Sequence, residues 1–295
     1  MKEYIMNVSR ITTALLLASL SGSLFAQTLV TVNGTKIDSK EIDRQVKFLV
    51  ENRQAAGDSA ELRDVLINSS ITRTLVAQEA RRLKLNERAD FKEATDKARA
   101  AAKEQGVDKK ASFKQDWENY QTDLLNEVFI EHVLSQNPVS DADVRKFYDD
   151  TSNFYRGSSE IQMGEILTSK QEDAQKAIQD LNAKKPFASV ARQYSTDPDT
   201  KQTGGIDTRY TRLKDLEQMA PPVYAVVKDL KKGQYTPTPL SGNGMYAVFY
   251  VNDKRTVKIP SFEESKAPIT HNLQNQRLEQ AIGALYQKAK IVPAN

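Results

Sequence analysis

The sequence predicts an α+β protein of two domains, with a mostly helical domain built from both chain ends and a compact domain of strands and helices between them. Three observations support this prediction. The chain has 295 residues, more than one typical domain. Apolar residues recur at helical spacing through the first half and again after residue 256. Between residues 160 and 254 the predicted order is strand, helix, helix, helix, strand.

The composition excludes several classes of chemistry. The chain is 39% hydrophobic and 27% charged, with a net charge of +3 and no basic block, which predicts a folded, soluble protein that does not bind nucleic acid. It has no cysteine, which excludes disulfides and a thiol nucleophile, and its only histidines are His132 and His271. We therefore expect no metal site and no cofactor.

The first 26 residues have the pattern of a secretory signal peptide. Lys2 and Arg10 precede an apolar stretch at residues 11–20, and small residues then lead to a cleavage site after Ala26. The apolar stretch is shorter than the roughly 20 residues that span a bilayer, and no lipid-anchoring cysteine follows it. We therefore expect an exported, soluble protein without a membrane anchor, located in the periplasm or secreted.

The helical domain is predicted to begin with a strand and turn at residues 29–34, followed by three helices. Asp38 and Glu41 form a capping pair for the first helix. The apolar positions that define the three helices are Ile42, Val46, Leu49 and Val50, then Ile67, Ile71, Leu75 and Val76, then Trp117, Tyr120, Leu124 and Val128. Residues 84–111 are rich in charged residues and alanine, which predicts a solvated helix or a mobile arm.

The compact domain is predicted at residues 158–255, with strands at 161–167 and 245–251. Three helices of the same apolar spacing lie between the strands. Their apolar positions are Ala174, Ala177, Ile178 and Leu181, then Phe187, Val190, Ala191 and Tyr194, then Val223, Val226, Val227 and Leu230.

The chain ends with a long amphipathic helix, for which Ser261 and Glu264 form a capping box. Because the compact domain is already complete, this helix is expected to pack on the helical domain. The helical domain therefore comprises residues 27–157 and 256–295.

Several short motifs follow one another in a specific order. Those of the compact domain are Glu165-Ile166-Leu167, Phe187-Ala188-Ser189-Val190-Ala191, Tyr194-Ser195-Thr196-Asp197-Pro198, Gly204-Gly205, Met219-Ala220-Pro221 and Leu230-Lys231-Lys232-Gly233. In this order the chain resembles the exported parvulin-type peptidyl-prolyl isomerases and chaperones of the SurA and PpiC group. The resemblance implies a SurA-like helical chaperone domain and a parvulin domain of the FKBP-like α+β class.

Two departures fall at the positions of the family's histidines, where this chain has Glu165 and Tyr246. Asp197 and Met219 match the family pattern, and Val223 replaces the phenylalanine of its proline pocket. The resemblance implies a catalytic polar side of Glu165, Asp197 and Tyr246, with Met219 and Val223 binding the substrate. If their strands are neighbours, Glu165 and Tyr246 can hydrogen-bond in place of the histidine pair. The alternative is that Glu165 is a solvated carboxylate and Tyr246 a half-buried packing residue.

The resemblance implies an extracytoplasmic folding factor that isomerises Xaa-Pro bonds and binds unfolded or nascent exported polypeptides. Prolyl isomerisation needs no nucleophile and no metal, because no covalent bond breaks. The alternative is a holdase chaperone whose parvulin domain has lost catalysis with its histidines and only binds peptide. A structural adaptor would require a stable partner surface that the sequence does not display.

Overall fold

The computed structural model describes residues 27–294, which divide into two units. Unit 1 comprises residues 27–140 and 270–294, and unit 2 comprises residues 141–269. The predicted signal peptide lies outside the described residues. Within those residues, none of the helices combines the length and the hydrophobicity needed to cross a membrane. The assignment of a chaperone role to one unit and an isomerase role to the other stays a prediction.

Unit 1 is mostly helical and carries one small antiparallel sheet. Its elements are β1 (Thr28–Val32), β2 (Thr35–Asp38), α1 (Ser39–Glu51), α2 (Ala60–Arg82), α3 (Ala89–Glu104), α4 (Phe113–Gln136), the C-terminal part of α11 (Phe262–Lys288) and β7 (Ile291–Pro293), with short 3-10 turns at Leu85–Glu87 and Val107–Lys109. The strand order is β2-β1-β7, and Thr31 near the N-terminal end lies opposite Val292 near the C-terminal end. Both chain ends therefore build this unit, as predicted.

The terminal helix α11 packs against the core of unit 1 through Ile282 and Leu285. The buried residues of this core are Val76, Ala77, Ala80, Leu85, Phe91, Leu125, Val128 and Phe129. Each large apolar side chain buried in such a core contributes roughly 1.5–3 kcal/mol. The predicted docking of the last helix on the helical domain is confirmed.

The segment at residues 84–111 forms a helix with one buried side. Phe91 and Ala102 of α3 are buried, and so are Leu85 and Val107 in the flanking 3-10 turns. These few apolar residues are outnumbered by charged residues and alanine, which is why the composition predicted a solvated segment. The remaining positions carry the charges that dominate its composition.

The two predicted capping pairs differ in outcome. The Asp38 side chain makes no cap hydrogen bond to α1, and Glu41 instead lies 3.4 Å from Arg73 on α2. At α11, Ser261 Oγ accepts a hydrogen bond from the Glu264 backbone amide at 3.3 Å, and the Glu264 carboxylate accepts one from the Ser261 amide at 2.8 Å. The second pair is therefore the predicted capping box.

Unit 2 combines a four-stranded antiparallel sheet with several short helices. Its elements are α5 (Asp141–Tyr155), β3 (Ser159–Thr168), α6 (Gln171–Asn182), α7 (Phe187–Tyr194), α8 (Pro198–Thr203), β4 (Thr211–Arg212), α9 (Leu213–Met219), α10 (Pro221–Val227), β5 (Leu240–Gly242), β6 (Met245–Thr256) and the start of α11. The strand order is β4-β3-β6-β5. Unit 2 includes α5, because the Tyr148 ring packs edge-on against Phe262 with ring centroids 5.4 Å apart.

The pairing of β3 with β6 gives the sheet two distinct faces, because directly opposite residues of antiparallel strands project to the same side. Ile166 lies opposite Val248 on the face that packs against α6 and α7, which we call the α6–α7 face. Glu165 lies opposite Phe249 on the other face, which packs against α9 and α10. We call this second surface the α9–α10 face.

The close packing of α7 on the sheet depends on Gly164. A Cβ atom at this position would lie 2.5 Å from Cε1 of Phe187, nearer than packed carbon atoms can approach. The Phe187 ring stacks on Tyr250 with centroids 4.4 Å apart, and both contribute to the α6–α7 face. The missing side chain therefore lets an aromatic ring sit directly on the strand.

Candidate active site

The loop after α7 runs along the outer edge of β3. The Thr196 amide donates to the Leu167 carbonyl at 2.7 Å, the Glu165 amide donates to the Gly205 carbonyl at 2.8 Å, and the Asp207 amide donates to the Met163 carbonyl at 2.9 Å. These bonds fix the loop beside the strand at three points. They place Asp197, which follows Thr196, next to the β3 segment that carries Glu165.

Gly205 allows the loop to approach β3 this closely. Its φ is +75°, in the left-handed region that favours glycine, and a Cβ atom there would lie 2.6 Å from the Glu165 carbonyl oxygen. Gly204 has a φ of +80° and ends α8. Gly204 therefore allows α8 to end, and Gly205 allows the loop to contact the edge of β3.

Asp197 is the N-cap of α8, and its orientation is fixed by that role. Its carboxylate accepts a hydrogen bond from the Thr200 amide at 2.7 Å through Oδ2. The hydrogen bonds from the Thr200 side chain and then from its amide lower the pKa of Asp197. This carboxylate is therefore held in its ionised form.

Glu165 has the opposite electrostatic environment. Its half-buried side chain projects onto the α9–α10 face, where Phe249 lies opposite and Met163 and Leu167 are its neighbours along the strand. Burial, and then repulsion from the nearby Asp197 carboxylate, raise the pKa of Glu165. Within the described residues its carboxylate has no hydrogen-bond or ion-pair partner. Two adjacent carboxyl groups thus have pKa values displaced in opposite directions.

The predicted contact between Glu165 and Tyr246 is wrong. Tyr246 lies opposite Thr168, so its side chain projects onto the α6–α7 face, where it packs half-buried against the core. The residues of β6 that share the face of Glu165 are Ala247 and Phe249. A shift of one residue along a strand reverses the face, so the alternative interpretation of Tyr246 as a packing residue is the better one.

The two predicted substrate-binding residues have different surroundings. Val223 on α10 is half-buried and packs against the α9–α10 face, where Ala247 and Phe249 also lie. Met219 ends α9 and leaves 84% of its surface exposed. The structure describes no cluster of three or more His, Cys, Asp or Glu residues that could hold a metal ion in the part of the chain it covers.

Comparison with known protein families identifies the domain that carries the candidate site. Residues 139–267 match the PPIC-type PPIase domain. This part of the chain is therefore a parvulin-type PPIase domain. The matched segment includes Glu165, Asp197 and the whole α9–α10 face, so the residues described above lie within the parvulin domain.

Relatives extend the similarity beyond the parvulin domain. A protein of Bordetella pertussis named a probable parvulin-type peptidyl-prolyl cis-trans isomerase is 27% identical over 268 residues, which cover 90% of this chain and 93% of that one. Foldase protein PrsA of Clostridium botulinum is 26% identical over 283 residues, covering 86% and 83%. A solved structure of a SurA-like chaperone from Campylobacter jejuni is 22% identical, covers 89% and 96% of the two chains, and has a TM-score of 0.34.

Sequence reasoning missed three contributors to the parvulin site. Ala247 and Phe249 share the sheet face of Glu165, and the Thr200 amide hydrogen-bonds the Asp197 carboxylate. The dipeptide Asp197-Pro198 is an N-terminal helix signature, because aspartate is a preferred N-cap and proline is favoured at the first helical position. That signal could have identified α8 and the orientation of Asp197 from the sequence alone.

The stability of the parvulin domain should depend on pH through Glu165. A raised folded-state pKa stabilises the fold fully below the unfolded value of about 4.3, and this contribution is lost as the pH rises through the folded value. Glu165→Gln is therefore expected to be more stable than the wild type at pH 7, by a margin that shrinks toward pH 4. Urea unfolding at a series of pH values measures the difference.

The matched control is Glu217→Gln on α9, which removes the same charge from an exposed side chain. Its unfolding curve should follow the wild type at every pH. The contribution of Asp197 to folding stability has the opposite pH dependence. Its lowered pKa stabilises the fold above about pH 3.9, and that contribution is lost as the pH falls. A Glu165→Gln variant less stable than the wild type at pH 7 would contradict the raised pKa.

Proposed function

We propose that this chain accelerates the cis-trans isomerisation of Xaa-Pro bonds in unfolded or nascent exported polypeptides, and that it also binds such polypeptides as a chaperone. The observation that supports catalysis most is a pair of unlike carboxyl groups, Glu165 on the α9–α10 face and Asp197 at the edge of β3. Glu165 has a raised pKa and Asp197 a lowered one. Neighbouring titratable groups with pKa values pushed apart are typical of a site with divided roles.

The chemistry requires selective binding of a twisted amide. The barrier to rotation is about 18–20 kcal/mol, because the planar amide delocalises the nitrogen lone pair into the carbonyl group. Rotation localises that lone pair, so the twisted form accepts a hydrogen bond at nitrogen that the planar form cannot accept. A group that donates this bond stabilises the transition state over both ground states.

Glu165 is the donor in this proposal. Burial and the adjacent Asp197 carboxylate favour its protonated form, which carries the O–H group that an ionised glutamate lacks. Asp197 stays ionised, and its negative charge favours the protonated form of Glu165. The proton is donated in a hydrogen bond and is not transferred, so the reaction consumes no base.

The apolar part of the α9–α10 face is the seat for the proline ring. Phe249 and Val223 line it, and the exposed Met219 at the end of α9 is available to cover the ring once a peptide binds. Methionine suits this role because its long, unbranched side chain adapts to different partners. Tyr246 has no part in the site, since it projects to the other face.

We place the protein outside the cytoplasm, in the periplasm, because residues 1–26 have the pattern of a signal peptide. Its substrates would there be exported polypeptides that have not yet folded. The holdase alternative is not favoured, because Glu165 supplies a hydrogen-bond donor at the position of the family's first histidine.

The experiment that tests this proposal is NMR exchange spectroscopy on a set of Xaa-Pro peptides with the mature chain. Uncatalysed interconversion takes tens to hundreds of seconds, so exchange on the NMR timescale in the presence of the protein reports catalysis. We expect acceleration, together with suppression of aggregation of an unfolded client protein measured by light scattering. Suppressed aggregation of the client, without accelerated isomerisation of any Xaa-Pro peptide, would instead support the holdase alternative.

A matched pair of variants separates the apolar seat from general binding. Met219→Gln should raise the KM of the peptides several-fold and leave stability unchanged, because the side chain is almost fully exposed. Val65→Gln replaces another exposed apolar residue, on α2 of unit 1, and should leave the KM unchanged. Equal effects of the two variants would argue against a seat at Met219.

A further inference from the structure

Asp197 is an ionised side chain without a cationic partner. Within the described residues, no lysine or arginine nitrogen lies within 4.0 Å of its carboxylate, and the same holds for Glu165. Other carboxylates of this sheet are paired, since Glu160 lies 2.7 Å from Arg255 and Asp253 lies 3.0 Å from Lys232. Glu165, the one acid of the described sheet without a cationic partner, and Asp197 therefore both lie at the proposed site.

The geometry of α8 keeps Asp197 available to a ligand. The Thr200 amide donates to Oδ2 at 2.7 Å, and the Thr200 side chain also hydrogen-bonds this carboxylate, so Thr200 fixes its orientation. The guanidinium group of Arg192 lies beside Gly204, at the opposite end of α8 from Asp197. A carboxylate has about four acceptor positions, so Asp197 can still accept from a cation while Thr200 holds it in a fixed orientation near Glu165.

We propose that Asp197 makes this site selective for lysine or arginine immediately before the proline of the substrate. The inference rests on the proposed function, because it assumes that the proline ring occupies the apolar seat at Phe249 and Val223. The Xaa-Pro bond then lies over Glu165, and the Xaa side chain reaches the edge of β3 where Asp197 is held. A cationic Xaa pairs with the Asp197 carboxylate, and an acidic Xaa is repelled.

The expected preference is moderate and depends on salt. A half-exposed ion pair gives roughly a five-fold preference for Lys-Pro over Leu-Pro. Exposed charges are screened within about 3 Å at 1 M salt, so high salt should reduce the preference. Pairing with a cation weakens the repulsion that helps to raise the pKa of Glu165, but burial, the larger cause, is unaffected.

The test is the ratio of kcat/KM for Lys-Pro and Leu-Pro peptides of otherwise identical sequence, measured on the mature chain. The wild type should give a ratio of roughly five, and Asp197→Asn should reduce it to about one. Asparagine is also a good N-cap, so α8 is retained in this variant. Asp199→Asn removes an equal charge from an exposed position two residues away and should keep the wild-type ratio. A wild-type ratio of one, or a ratio that persists in Asp197→Asn, would overturn the inference.

Failure of the proposed function gives a distinguishable result. If the wild type accelerates no peptide at all, the affinities of the same Lys-Pro and Leu-Pro peptides are compared by NMR titration. Tighter binding of the lysine peptide that is lost in Asp197→Asn still supports the selectivity. Equal affinities of the two peptides overturn it, whether or not the protein is a catalyst.

Discussion

Replacing Gly205 by alanine is expected to destabilise unit 2 by about 2–3 kcal/mol and to remove most of the isomerase activity. The backbone at this position has a φ of +75°, and a Cβ atom would lie 2.6 Å from the carbonyl oxygen of Glu165. The loop must therefore move away from β3. This movement breaks the hydrogen bond from the Glu165 amide to the Gly205 carbonyl and displaces Asp197 from Glu165.

The matched control is Gly233→Ala, also in unit 2. Gly233 has a φ of +83°, but no atom lies within 4 Å of the Cβ position. It should show only the cost of the left-handed backbone, about 1–2 kcal/mol, and should keep its activity. Urea unfolding and peptide exchange measure both quantities. Equal losses of activity in the two variants would mean that the contact with Glu165 is not what the site requires.

Glu165→Ala is expected to lower kcat/KM on the order of 100-fold, the effect of removing one preorganised hydrogen-bond donor. Glu165→Gln should keep most of the activity, because its amide also donates a hydrogen bond and has nearly the same shape. Both variants should fold, since the wild-type side chain is only half-buried and has no hydrogen-bond partner in the described chain. A glutamine variant as inactive as the alanine variant would contradict the role of a neutral donor.

Asp197→Asn complements this pair of variants. It leaves the cap of α8 in place and removes the charge that favours the protonated form of Glu165. Its activity should fall less than that of Glu165→Ala, because burial alone still raises the pKa of the glutamate.

The amphipathic helices α1, α2, α4, α6, α7, α10 and α11 could be predicted from the sequence because their apolar spacing is a local property. The terminal helix is an example. Its apolar residues Ile282 and Leu285 predicted packing on another apolar surface, and they pack against the core of unit 1. Strand β7 was not predicted, because three residues at the chain end give no periodicity and it forms only through pairing with β1.

The polar part of the candidate site could be predicted only partly. The family motifs predicted that Glu165 and Asp197 lie near each other. Their shifted pKa values are consistent with that proximity. The register between β3 and β6 is set by long-range pairing, which no local pattern specifies. Tyr246 was therefore assigned to the wrong face of the sheet. Ala247 and Phe249, which share the face of Glu165, were not predicted.

The most direct test of a neutral Glu165 donor is the pH dependence of kcat/KM, compared with the titration of the Glu165 carboxyl carbon followed by NMR. We expect a pKa above the usual glutamate value of about 4.3, and wild-type activity that declines with that same pKa as the carboxyl ionises. Glu165→Gln should be active and show no such decline. Activity that instead rises as Glu165 loses its proton would contradict the mechanism.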